Sequence, residues 1–310
     1  MRRLFSVLLL WAGVAALSSA GPHPFHDDGG FINWRLTSAT AIKEAQANGK
    51  PIFALGTFEK DDNSKNVATA LREPELYKLV NRYFIPVVIN CEKADIKDQI
   101  ALFPREKIGG TMLPFISFLN ERGQFIQGSS GARDKDQLLA DLKKVLNDKN
   151  NSVAPLLEAT LVKQADMLQK ALEAKNFKQA GTVYAAIVKV RGYSPSKDKT
   201  YDLMDEAQFD AVRLLKEAVA LADMNQFGDA RKLIADIPKE FAGLPVVNEM
   251  KEHQESLMLL EAAYKTTEDK KGLWQQTALG KINSVLMKYP DGAYSAVALK
   301  RKAELMPPKK

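Results

Sequence analysis

A single cysteine stands in 310 residues, and that scarcity excludes more than any other feature of the chain. Cys91 has no partner for an intramolecular disulfide, and a Cys-x-x-Cys dithiol cannot form. There are three histidines, none paired at the spacing of a metal protease. A glycine-rich phosphate loop is missing, as is any Ser/His/Asp order that stands out. Beyond the N-terminal segment no apolar run approaches the ~20 residues that span a bilayer. Net charge is thin: +1 over residues 21–150 and +3 over 151–310, with Arg2 and Arg3 completing the total of +6. So weak a field gives little hold on nucleic acid or anionic lipid.

What is present is a globular composition, 45% apolar and 26% charged, in a chain long enough for two domains. It begins with a secretory pattern: Arg2 and Arg3, an apolar core over 4–17, and Ser18-Ser19-Ala20 as a cleavage site. With 1–20 as signal, the expectation is an exported protein, periplasmic or extracellular, with no membrane span after signal removal. Residues 21–33, GPHPFHDDGGFIN, read as an extended, solvated leader. His23, His26, Asp27 and Asp28 are metal-ligand types, but Pro22 lacks the amide an N-terminal copper chelate needs. No metal and no cofactor is expected.

The apolar run at 51–55, the polar turn at 59–64 and the spacing of Val67, Ala70 and Leu71 predict a buried strand running into a helix. A helix from about Ser38 precedes them, carrying Ala41, Ile42 and Ala45 on one face and stopped by Gly49-Lys50-Pro51. After the turn the helical pattern reaches about Tyr83, with a break available at Glu73-Pro74. Strands follow at 84–90 and 113–119, separated by a short helix over 93–104. A turn at 120–123 makes a hairpin with 124–126, and a last helix spans 134–146. This order fits a βαβ unit extended by antiparallel strands.

Three phrases within this order carry a family resemblance: AQANGKP at 45–51, FIPVV at 84–88 and MLPF at 112–115. Residues 34–147 resemble the short extracytoplasmic thioredoxin-like domains. The resemblance implies an α/β thioredoxin-like fold, a cis-proline at Pro114, and a peptide-binding ledge at Leu113 and Pro114. It also implies a thiol pair at the helix N-terminus, where this chain has Asp61-Asp62-Asn63-Ser64. Neither the nucleophilic thiolate nor the resolving thiol is present, so Asp61 and Ser64 are degenerate redox positions and no catalytic residue is expected. A carboxylate there caps the helix instead. Cys91, at the end of the second strand, reads as a small buried hydrophobe. The alternative gives it a monothiol redox role.

Residues 148–154 read as a linker and 155–306 as helical throughout. Two passages match: Phe177, Ala180, Tyr184, Ile187 and Phe227, Ala230, Ile234, Ile237; a weaker third has Ala278, Ile282 and Val285. The alanine lets a neighbouring helix approach and the larger residues fill the groove around it. These passages resemble the second helix of tetratricopeptide-like repeats, although intervals near 50 residues exceed the ~34 of regular ones. An irregular domain of six or seven helices is expected, with 191–199 as a basic loop and His253 on the surface. Trp34 is expected in core or domain-edge packing. The function expected is that of a redox-inactive protein- or peptide-binding module or envelope scaffold.

Overall fold

In the computed structural model of the chain, residues 23–290 and 292–306 are described, so the signal segment lies outside the described residues. The chain divides into two compact units, with the boundary between Leu146 and Asn147.

The first unit is built on a four-stranded sheet in the order β2-β1-β3-β4. The strands are β1 (Ile52–Thr57), β2 (Ile85–Asn90), β3 (Phe115–Leu119) and β4 (Phe125–Ser130). β1 pairs parallel with β2 and antiparallel with β3, and β4 closes the hairpin with β3. Helices α1 (Ser38–Asn48), α2 (Asp62–Ala70), α3 (Pro74–Tyr83), α4 (Ile96–Leu102), α5 (Arg105–Ile108) and α6 (Lys135–Leu146) fill the intervals. All six residues of β1 and of β2 are buried. Alternation along β1 divides the core: Ile52 and Ala54 pack with Ala41 and Ala45 of α1 and with Leu102. Phe53, pointing the other way, meets Trp34, Phe84 and Phe118 with ring centroids 5.5–6.5 Å apart. The helical pattern breaks at the expected place. Pro74 is the first residue of α3, and Glu73 before it is extended (φ −66°, ψ 130°) because proline crowds the helical conformation of its predecessor.

The leader departs from the solvated segment expected. His23 is 7% exposed, and its Nδ1 accepts from the amides of Phe25 and His26 at 3.2 and 3.0 Å. Asp28 is 1% exposed and accepts from the Trp34 indole N–H at 2.6 Å. Polar ligand-type residues are consumed here in tying the segment to the core.

The second unit carries α7 (Pro155–Glu173), α8 (Phe177–Val188), α9 (Pro195–Ala207), α10 (Phe209–Asp223), α11 (Phe227–Ile234), α12 (Ile237–Glu240), α13 (Met250–Asp269), α14 (Trp274–Lys288) and α15 (Ser295–Leu305). A 3-10 helix spans Pro245–Glu249. Nine α-helices among the described residues exceed the six or seven expected; Pro195 and Pro238 sit in the first turn of α9 and α12, where the sequence read as loop or continuous helix, and Pro245 opens the 3-10 turn. The matching passages are the second helices of three helix pairs, α7 with α8, α10 with α11 and α13 with α14. Ala180, Ala230 and Ala278 are all fully buried. The first helix of each pair ends at a non-glycine residue with positive φ: Lys175 (54°), Asn225 (62°) and Lys270 (48°). In the first two turns the Asn176 amide donates to Ala171 and the Gln226 amide to Leu221, both at 2.8 Å, a six-residue closure that satisfies the last helical carbonyls.

Within 148–154, Ser152 bridges Tyr193, and the Val153 amide donates to the Tyr193 carbonyl at 2.8 Å. Two further expectations change. The basic loop is largely helix α9, capped by Ser194; Lys197 is 6% exposed, its ammonium held by the Val190 and Gly192 carbonyls. His253 is 4% exposed rather than on the surface, its Nδ1 3.2 Å from the Tyr294 hydroxyl. Charged sequence neighbours hid its place on the inner stripe of α13.

Candidate functional site at the end of the first strand

β1 leaves the sheet at Thr57, and the chain turns through Phe58 to Asp61 before α2 begins. Asp61 is the N-cap: its Oδ2 accepts from the Ser64 amide at 2.7 Å and from the Ser64 hydroxyl at 2.6 Å. Ser64 is fully buried, and its Oγ accepts from the Phe58 amide at 3.4 Å. The carboxylate, hydroxyl and turn backbone therefore form one closed set, with Asp62 exposed in the first helical turn. Asp61 and Ser64 face each other across the positions where the resemblance implies a thiol pair. Their atoms hold the helix start and carry no thiol.

Two segments flank this turn. On one side the register sets Phe115 opposite Gly56, so the residues just before Phe115 lie beside Thr57. The Leu113–Pro114 peptide bond is cis, and Pro114 is buried. The Met112 carbonyl accepts from the Gly131 amide at 2.8 Å and from the Ser130 hydroxyl at 2.6 Å. The Leu113 N–H and C=O make no hydrogen bond among the described residues, while Met112 is 65% exposed beside them. A free backbone pair next to an exposed apolar side chain is the arrangement that accepts an extended peptide.

On the other side the Cys91 amide donates to the Thr57 carbonyl at 2.9 Å. The Cys91 Sγ lies over Gly56 and close to Phe103: a Cβ added at Gly56 would stand 2.9 Å from the sulfur. Burial pushes the thiol up to about 11. Roughly one thiol in ten thousand is then ionised at pH 7, which is far from the cation-supported environment of a reactive cysteine.

The leader reaches the same turn through an element the sequence did not signal. His26 Nε2 lies 2.9 Å from the Phe58 carbonyl, a contact across 32 positions. His23 Nε2 is buried without a partner, and burial lowers its pKa to about 4, with His26 adding to the shift and Asp28 opposing it. Thr57 and Asn90, opposite each other in the sheet, also leave Oγ1 and Nδ2 buried without partners. Among the described residues no group of three or more His, Cys, Asp or Glu could hold a metal ion, and no helix is long and apolar enough to cross a membrane.

The structure thus brings Asp61, Ser64, Cys91, Leu113 and Pro114, which are scattered over more than fifty positions, to one end of the sheet. Compared with known proteins, the sequence matches no family model and no curated protein significantly.

Proposed function

We propose that the chain is an exported, redox-inactive thioredoxin-like domain joined to a tetratricopeptide-like helical domain, and that it works by holding a protein or peptide partner. The observation that carries this reading is the closed Asp61–Ser64 cap at the start of α2. A thiol enzyme needs that corner open and sulfur-bearing; here two oxygen side chains satisfy each other. The parallel β1/β2 pair and the antiparallel β3/β4 hairpin support the thioredoxin-like assignment. The unbonded Leu113 backbone beside exposed Met112 supports peptide capture by strand-like pairing. The three helix pairs support a second partner-binding surface.

Two measurements test it. Mature protein mixed with insulin and a dithiol donor gives no disulfide reduction above a Cys91→Ser control; turnover above that control overturns the redox-inactive reading. A photo-crosslinking residue at Met112, used in the native envelope fraction, captures a partner that the same residue at Lys144 does not. Equal capture at both positions removes the ledge from the proposal.

A further inference from the structure

The second unit holds a cavity of about 340 Å³ between the turn after α10 and the helices α13, α14 and α15. Its size falls within the range of small-molecule sites, at the low end. Phe227, Leu260, Ala263 and Ile282 form an apolar floor, and Tyr264 and Trp274 add aromatic walls. Its charged lining is Lys270, Arg301 and Glu304, and its neutral polar lining is Asn225, Thr267 and Tyr264, whose hydroxyl is hydrogen-bonded to Glu268. Glu304 is already taken by Arg301 at 2.9 Å. The rest of the Arg301 guanidinium donates to the Asp223 carbonyl, and its Nε is buried with no partner. Lys270 is exposed and makes no ion pair among the described residues. Asn225 also lines the cavity and carries a buried side-chain oxygen without a partner. An apolar chamber thus meets one exposed cation without an ion-pair partner, one unused donor at Arg301 Nε and one unused acceptor at Asn225 Oδ1.

We propose that this cavity binds a small amphiphilic carboxylate, with its apolar body on the Phe227–Ile282 floor and its head group at Lys270. The body gains burial against Leu260 and Ala263. The head neutralises Lys270 and offers acceptors to any N–H that Arg301 turns towards the opening. The positive balance disfavours an amine of the same shape. This site is independent of the sheet-end ledge and does not rest on the first unit's redox history.

The test uses the full mature chain and three probes with one apolar body: decanoate, 1-decanol and decylamine. Binding is read by calorimetry and by Trp274 fluorescence, with a Trp274→Phe control for the origin of the signal. Decanoate binds saturably, at least tenfold tighter than decylamine. Lys270→Gln, a change at an exposed position, weakens decanoate about tenfold and leaves 1-decanol unchanged. Ala263→Phe fills the chamber and abolishes binding of all three, with circular dichroism checking the fold. Equal affinity for the three probes, an unchanged decanoate affinity in Lys270→Gln, or no saturable binding each overturns the proposal.

Discussion

Replacing Asp61 and Ser64 together by cysteine tests whether the corner is a thiol site in all but its sulfur. The Asp61 carboxylate and Ser64 hydroxyl approach to 2.6 Å, and Asp61 is the N-cap with Ser64 three positions on. Side chains that meet so closely from these backbone positions suit the β-carbon separation of about 3.8 Å that a disulfide requires. In the reduced Asp61→Cys/Ser64→Cys variant the helix loses its carboxylate cap, which costs about 1 kcal/mol. In the oxidised variant a four-residue loop is closed, adding roughly 2 kcal/mol through the unfolded chain. Oxidised and reduced forms should therefore melt several degrees apart, with the parent between them. The first introduced thiol sits at the positive end of α2 and should ionise below the ~8.5 of a free thiol. The assay, in a Cys91→Ala background, combines iodoacetamide labelling against pH, a mass shift for the disulfide, and paired melting curves. Failure to form the disulfide under mild oxidation, or a thiol that titrates at or above its free value, would refute the reading of this turn.

Four other outcomes follow from the structure. Native Cys91, raised by burial, should react with iodoacetamide at pH 7.5 far more slowly than free cysteine and at full speed after denaturation; fast labelling in the folded state would restore the monothiol alternative. His253 is lowered to about 4 by burial, so the fold keeps it neutral; its contribution is complete above the unfolded value of 6.5 and is lost as pH falls from 6.5 to about 4. The loss is roughly 2–3 kcal/mol at about 1.4 per pH unit, discounted for residual solvent, and His253→Gln should flatten the denaturant midpoint over that window. Gly181→Ala should destabilise the second unit by ~3 kcal/mol or more, since the added carbon would stand 1.8 Å from the Gly243 carbonyl oxygen; a chemical-denaturation curve unchanged from the parent would show that this backbone contact is absent in solution. Asp61→Asn keeps an acceptor for the Ser64 amide and should cost less than Asp61→Ala, which leaves the buried Ser64 hydroxyl with only the long Phe58 contact.

Much of the first unit was legible because its signals are local. An apolar run bounded by Gly49-Lys50-Pro51 and by a polar turn defines β1 to within two residues. A carboxylate cap at Asp61 or Asp62 was legible because capping acts over three residues of sequence, and the structure gives the role to Asp61. Trp34 was legible as a packing residue, although its bond to Asp28 was not. The alanine-centred passages at 180, 230 and 278 were legible because close helix approach demands a small residue wherever it occurs. The same local reasoning misplaced His253, whose neighbours are charged but whose helix face is inward, and Lys197, whose ammonium is buried against carbonyls five and seven positions back. It also missed Gly181, because a glycine within a helix shows its purpose only when another backbone lies against it.

The sequence by itself determined the kinds of elements in the first unit, the absence of a thiol pair, and the carboxylates that stand in its place at the start of α2. These follow from residue identity and from interactions spanning one turn of helix. Tertiary structure alone decided that Cys91, the Leu113–Pro114 segment and His26 converge on that turn, because strand pairing joins residues that local patterning leaves unrelated. It alone decided which polar groups are spent inside the fold, as at His23 and Lys197, and which stay available, as at Leu113 and Lys270. The physical reason is common to both: hydrogen bonding and desolvation depend on what lies across space, and one dimension of sequence does not record it.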